Sequence, residues 1–258
     1  MKTIKNKFAL VVFALFAVSC SSDDNNSPVH EIRENRITKE VDENTTTTFT
    51  YNASNQLIKI IEIGDLGFGT TQKVENYTYG TDGKVAEVVT DYTGSSSYGF
   101  KYAYSYNAGK LVTIIVKKYT GSGTYDNFSQ IFFDYNTPNV VERAEFRQDG
   151  TTTRTVYSIA NGNTTSYSVY TGVSANTPNG QLSYTNIYSN YDAKKTPYAG
   201  LPLVFHEPYL FVNNPGQTQS SGSTVNYTYQ YNDDGYPTKK TMSFNSTSTS
   251  TTYLYERI

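Results

Sequence analysis

The sequence predicts an all-β protein: an antiparallel meander of about twelve to fourteen long strands, curled into a barrel-like or strongly curved sheet. Three observations predict it. The first is the stretch Tyr102–Val116, where Tyr102, Tyr104 and Tyr106 alternate with small residues and so project from one strand face. Asn107, Ala108 and Gly109 then supply turn residues, and the β-branched run from Leu111 to Val116 suits a return strand. The second is recurrence. Tyr51, Tyr79, Tyr106, Tyr135 and, more weakly, Ile159 each lead a copy of this unit, spaced 28, 27, 29 and 24 residues apart, with a further copy at Tyr231. The third is an interleaved set of corners at Tyr92-Thr93-Gly94, Tyr119-Thr120-Gly121, Gln148-Asp149-Gly150 and Tyr170-Thr171-Gly172. Two corners per repeat leave strands of roughly ten residues, about 33 Å long, and links this short demand antiparallel neighbours.

The chain opens with Lys2, Lys5 and Lys7 followed by an apolar run from Phe8 to Val18. That run is well short of the ~20 residues of a spanning helix, and residues 1–19 read as an export signal. Cys20 is the one cysteine, so it has no intrachain disulfide partner. An ordinary secretory signal would leave it as a free thiol. Ala17-Val18-Ser19-Cys20 instead resembles the lipobox of bacterial lipoproteins, with Ala17 where leucine is usual. The resemblance implies that Cys20 is acylated and becomes the mature N-terminus. Residues 20–29 then form a flexible tether by composition. Within it, Ser21, Ser22, Asp23 and Asp24 resemble the acidic export tag of Bacteroidetes surface lipoproteins, which implies an outer-membrane lipoprotein displayed on the cell. Several acyl chains on Cys20 would anchor it durably.

Residues 30–258 read as a single repeat domain. Val29–Val41 is either an opening strand or a short helix; a strand feeding Thr45–Tyr51 fits better. In the repeats, Asp or Asn followed by Gly suits turns whose last residue is left-handed, and Asn55 and Asn139 replace Gly at that place. Pro138 does not fit the common turn and predicts a different one. Residues 191–222 break the rhythm with Pro197, Pro202, Pro208 and Pro215, which predicts a loop insertion on one face, a place where binding often resides.

The units at Tyr79–Val85, Tyr106–Leu111 and Tyr231–Gly235 resemble the YD repeat of Rhs-type proteins. Together with the lipobox and Tyr191–Tyr198, they look like a group of uncharacterised Bacteroidetes lipoproteins. That group implies no activity, and an array this short does not imply a cargo shell.

Composition limits function. Lys and Arg total 21 against 23 Asp and Glu, a balance that gives no reason to expect a nucleic-acid surface. The two histidines are His30 and His206. His206-Glu207 could pair as a base and its orienter, but no nucleophile motif accompanies it, and an enzyme is not expected. Asp82-Gly83, Asp149-Gly150 and Asn232–Gly235 lack the spaced ligands of a calcium loop, and no zinc pattern occurs; no metal or cofactor is expected.

Binding is argued from aromatics. Tyr77/Tyr79, Tyr102/Tyr104/Tyr106 and Tyr227/Tyr229/Tyr231 form stripes that are core if buried and an amphipathic platform if exposed. With Tyr198, His206 and Tyr209 in the loop, the Tyr102–Tyr106 stripe supplies the candidate contacts for an extracellular glycan or a protein. The leading expectation is a non-enzymatic, surface-anchored binding or scaffold lipoprotein. The alternative is a carrier holding an apolar small molecule inside the curled sheet. A membrane-spanning barrel is less favoured, because Lys59, Glu62, Glu87, Thr113 and Lys117 interrupt any lipid-facing band.

Overall fold

The computed structural model describes residues 34–258 apart from 68, 95–97, 122, 175–178 and 203–210. Sixteen strands follow one another with no helix among the described residues: β1 (Asn35–Val41), β2 (Thr45–Tyr51), β3 (Leu57–Gly64), β4 (Thr70–Tyr79), β5 (Val85–Gly94), β6 (Tyr98–Asn107), β7 (Lys110–Gly121) and β8 (Thr124–Asp134) make the first half. The second half is β9 (Val140–Arg147), β10 (Thr152–Ala160), β11 (Asn163–Thr171), β12 (Gln181–Ser189), β13 (Gln217–Ser220), β14 (Ser223–Tyr231), β15 (Pro237–Phe244) and β16 (Thr247–Arg257). Every neighbour is antiparallel and sequential, and β1 pairs with β16 to close a barrel. Closure leaves no edge strand to recruit another chain.

The strand alternation sorts side chains between two faces. Phe49 faces Ile60, Tyr77 faces Val88, Tyr104 faces Ile114, and Tyr157 faces Tyr167, all belonging to one core. A closed wall with no outer layer can bury only its inner face, so this core is the barrel interior. Ile114 is 1% exposed and Tyr157 3%, so side chains occupy the space along these strands. Charges lie among them: Lys73 bridges Glu62 (2.9 Å) and Glu75 (3.6 Å), and Glu145 is held by Arg143 (3.2 Å) and Arg147 (3.0 Å). The outer face is mixed: Ile63, Ile115, Phe132, Phe146, Ile187 and Leu254 stand exposed on it beside charged residues. Lys59, Glu87, Lys117 and Lys239 point outward at mid-strand, and Lys101–Glu87 (2.7 Å) and Arg154–Glu142 (2.7 Å) form cross-strand pairs there.

Several repeats are tied to the next by a tyrosine hydroxyl. The ladder skips one residue near the start of the return strands, as at Ile58 and Val112, making a bulge. The carbonyl just before the skipped residue accepts the next repeat's hydroxyl: Tyr79 donates to Leu57 (2.7 Å) and Tyr135 to Leu111 (2.9 Å). The same pattern recurs as Tyr51 to Ile37 (2.7 Å), Tyr255 to Pro237 (2.7 Å) and Tyr191 to Thr164. The basic residue that follows the turn caps the next ring. Lys84 sits 5.2 Å above Tyr106, and Lys110 sits 4.9 Å above Tyr135. The recurring pattern of an aromatic, a turn and Lys-Leu is therefore an inter-repeat joint.

The strand total exceeds the expected twelve to fourteen because the long insertion splits a hairpin instead of replacing one. Gln217–Ser220 pairs with both β12 and β14, so the loop is residues 190–216, ending soon after Pro215, rather than 191–222. The Val29–Val41 segment contributes β1 from Asn35 onward, feeding β2 as expected. At Pro138, the Val140 amide donates to Thr137 and Asn139 is left-handed at φ 59°. That places proline second in the turn, where its fixed φ suits a type II geometry. Cys20, Ser21, Ser22, Asp23, Asp24, His30, His206 and Tyr209 lie outside the described residues.

Candidate functional site

One mouth of the barrel collects the tyrosine-led turns, the start of β1, the end of β16 and the long loop between β12 and β13. The loop is fastened there by polar side chains. Asp192 accepts the Asn214 backbone N–H (3.1 Å) and its Nδ2 (3.2 Å), and also takes the Tyr231 hydroxyl. Asn214 Nδ2 also reaches the Lys195 carbonyl (2.9 Å). Asn163 at the start of β11 and Asn213 exchange two hydrogen bonds, of 3.0 and 2.9 Å. Gly162 is required beside them, because a Cβ there would lie 2.8 Å from Val212 Cγ2.

Deeper in, Tyr198 packs edge-on to Tyr253 with ring centres 6.3 Å apart and donates its hydroxyl to Glu40 Oε2 at 2.7 Å. Burial pushes the Glu40 carboxyl above the usual range, while that hydrogen bond and the nearby Lys240 charge pull it down. Tyr198 itself is raised well above an ordinary phenol by burial and then by the Glu40 charge. The pair pins the loop to the inner face of β1.

Between the pinned loop and the rim lies a cavity of about 710 Å³. Leu201, Phe211, Val212 and Ile258 give it apolar walls, with the rings of Tyr51 and Tyr198 beside them. Its charged side chains are the basic Arg36 and Lys195 and the acidic Glu34. Arg36 is committed to Glu256, to Asn55 Oδ1 (2.6 Å) and to the Tyr51 ring 4.5 Å below it. Lys195 Nζ donates to the Tyr236 hydroxyl (3.1 Å) and lies 4.7 Å above that ring; among the described residues no carboxylate stands within 4 Å of it.

Of the residues singled out in the sequence, Tyr198 is in this wall. Tyr102, Tyr104 and Tyr106 are not: they face the interior, half-buried against the core, and burial pushes the Tyr106 hydroxyl up to about 12. The third stripe serves the loop from below, with Tyr229 donating to the Pro215 carbonyl (3.0 Å) and Tyr231 to Asp192. Sequence reasoning missed Glu40, Lys195 and Arg36. Lys195 falls within the quoted Tyr191–Tyr198 segment and was within reach; Glu40 carries no local signal. No group of three or more His, Cys, Asp or Glu is placed for a metal among the described residues.

No known family matches the chain, and no curated protein does. Among solved structures, the chain is similar to a porin-like protein from Bacteroides vulgatus ATCC 8482, with 13% identity over 86% of this chain and 99% of that one and a TM-score of 0.45. It is also similar to a porin-like protein from Bacteroides uniformis ATCC 8492, with 14% identity over 85% of this chain and 98% of that one and a TM-score of 0.40. At these values the likeness carries no functional information.

Proposed function

We propose that this protein is a non-catalytic binding module of the outer membrane, tethered through an acylated Cys20 and displayed on the cell surface, with the loop-covered mouth as its binding site. One observation carries the reading: the loop is fastened over the rim at several points yet leaves an apolar cavity of about 710 Å³ beneath it. That volume lies within the range that holds small ligands, and convergent polar groups on apolar walls are what recognition requires. The extracellular glycan or protein expected from the sequence would meet the molecule at this mouth. The outward pairs Lys101–Glu87 and Arg154–Glu142 favour a tethered barrel over one embedded in lipid, since charges at mid-strand are costly in a bilayer, although exposed apolar residues such as Ile115, Phe132 and Phe146 share that face.

The carrier reading changes place. Core side chains pack along the inner face, and the inner cavity beside Arg143, Tyr157, Tyr167 and Tyr184 is about 290 Å³ against about 710 Å³ at the mouth, so the mouth is the roomier place for a ligand.

Two measurements test the proposal. Protease treatment of intact cells should remove the protein; its survival there would refute display. The full-length chain carrying Cys20→Ser is then screened by thermal shift against soluble glycans, peptides and amphiphiles. A ligand whose effect disappears in Leu201→Glu and in Val212→Glu supports the mouth, whereas binding indifferent to both variants places the site elsewhere.

A further inference from the structure

We infer that the mouth cavity takes an anionic amphiphile, with its apolar body against Leu201, Phe211, Val212 and Ile258 and its carboxylate at Lys195 Nζ. The inference rests on the mouth being the binding site and names the chemistry of what enters it.

The lining carries Glu34 as well as two cations, so the head group is selected locally, at Lys195. Arg36 already has Glu256 and Asn55 as partners, so it has little to offer a ligand. Lys195 differs. It is half-buried in the wall, satisfied only by a phenol and a ring face, with no carboxylate within 4 Å among the described residues. A partly desolvated ammonium without a counter-ion is costly, and an arriving anion would relieve that cost through a short charge-assisted hydrogen bond.

The walls select the body. Val212 and Ile258 are 56% and 50% exposed, so apolar surface faces solvent across the cavity and gains by being covered. A neutral sugar would find poorer terms. The Tyr51 and Tyr236 rings each carry a cation on one face, and Tyr198 meets Tyr253 edge-on. Broad free ring faces for stacking are therefore scarce.

The test uses the full-length Cys20→Ser chain, which has no acyl chain of its own to compete. Dodecanoate, dodecan-1-ol and dodecyltrimethylammonium are titrated below their micellar concentrations and followed by calorimetry. Dodecanoate should bind about tenfold or more tightly than the alcohol, and the cation weakest, because one charge-assisted hydrogen bond separates them. Lys195→Gln should erase the preference for dodecanoate and leave the alcohol unchanged. Leu201→Glu and Val212→Glu should weaken both, with far-UV circular dichroism confirming an intact barrel. Equal binding of the three probes, or a preference that survives Lys195→Gln, would overturn the inference. So would failure of all three alongside mouth-dependent binding of a soluble glycan or peptide, an outcome that leaves the mouth itself in place. If nothing binds at the mouth, both readings fall.

Discussion

The phenolic hydroxyl of Tyr135 donates to the backbone carbonyl of Leu111, 2.9 Å away and 24 residues earlier, while Lys110 lies 4.9 Å above the same ring. The first two residues of the return strand, Lys110 and Leu111, thus both hold the tyrosine of the following repeat. A hydrogen bond and a cation over a ring are each modest, but the pattern recurs around the barrel.

Tyr135→Phe keeps the ring and removes only the donor. The expected loss is about 1 kcal/mol. In a domain of this size that lowers the melting temperature by about 2–4 °C, which calorimetry can read. Tyr79→Phe should cost a similar amount, and the double variant should show the sum, because the joints are separate. An effect far larger than the sum would mean that the joints cooperate.

Ala108 occupies a left-handed conformation at φ 46° in the two-residue corner between β6 and β7, with Gly109 at φ 83°. Alanine pays about 1 kcal/mol there, whereas asparagine before glycine is the preferred pair for such a hairpin. Ala108→Asn should therefore raise stability by roughly 0.5–1 kcal/mol in urea unfolding, with an unchanged denaturant slope. A lower midpoint would show that the corner tolerates alanine for another reason.

Glu40 makes stability depend on pH in a stated direction. Its carboxyl is raised in the folded state by burial, so the folded protein holds that proton more tightly than the unfolded chain. The contribution from Glu40 is complete below the ordinary carboxylate range and is lost as pH rises through its raised value. Glu40→Gln still accepts the Tyr198 hydroxyl but never ionises. The variant should be more stable than the parent at neutral pH and lose that advantage on acidification towards pH 4.5. Glu145 runs the other way: although burial raises it, Arg147 and Arg143 hold it below the usual value, so its contribution is lost as pH falls through that lowered value. Thermal scans across pH on both single glutamine variants separate the two; destabilisation of Glu40→Gln at neutral pH would contradict the sign.

Asp192 is the loop's main fastening, taking two bonds from Asn214 and one from Tyr231. Asp192→Ala should leave the buried Asn214 backbone N–H without its acceptor, at a cost of about 1–3 kcal/mol. The loop should open before the barrel does, because its backbone lies outside the strand ladders. Limited proteolysis should accordingly cut within residues 190–216 at protease levels that leave the parent intact, while far-UV circular dichroism stays barrel-like. Cleavage spread over the strands instead would show that the loop is integral to the barrel's stability.

Much of this architecture was legible in the chain. Alternating tyrosines, left-handed corner residues and short links fixed the strand direction and the antiparallel order, because each is a local constraint on dihedrals or on reach. The fate of the Tyr102–Tyr106 stripe was not legible: a period of two shows that three rings share a face but not which face is covered. Nor did the prolines of the insertion show that Gln217–Ser220 would return to the sheet as β13, since that short polar segment has no periodic signature.

By itself, then, the sequence determined the material of the wall: which residues extend, where they fold back, and that each ribbon lies against the one before it. Only the tertiary structure decided that β1 meets β16, that Tyr198 descends to Glu40, 158 residues away along the chain, and that Lys195 faces a cavity with no carboxylate within 4 Å among the described residues. Closure and the mouth are set by contacts between distant segments, and local propensities carry no information about which distant segment will be the neighbour.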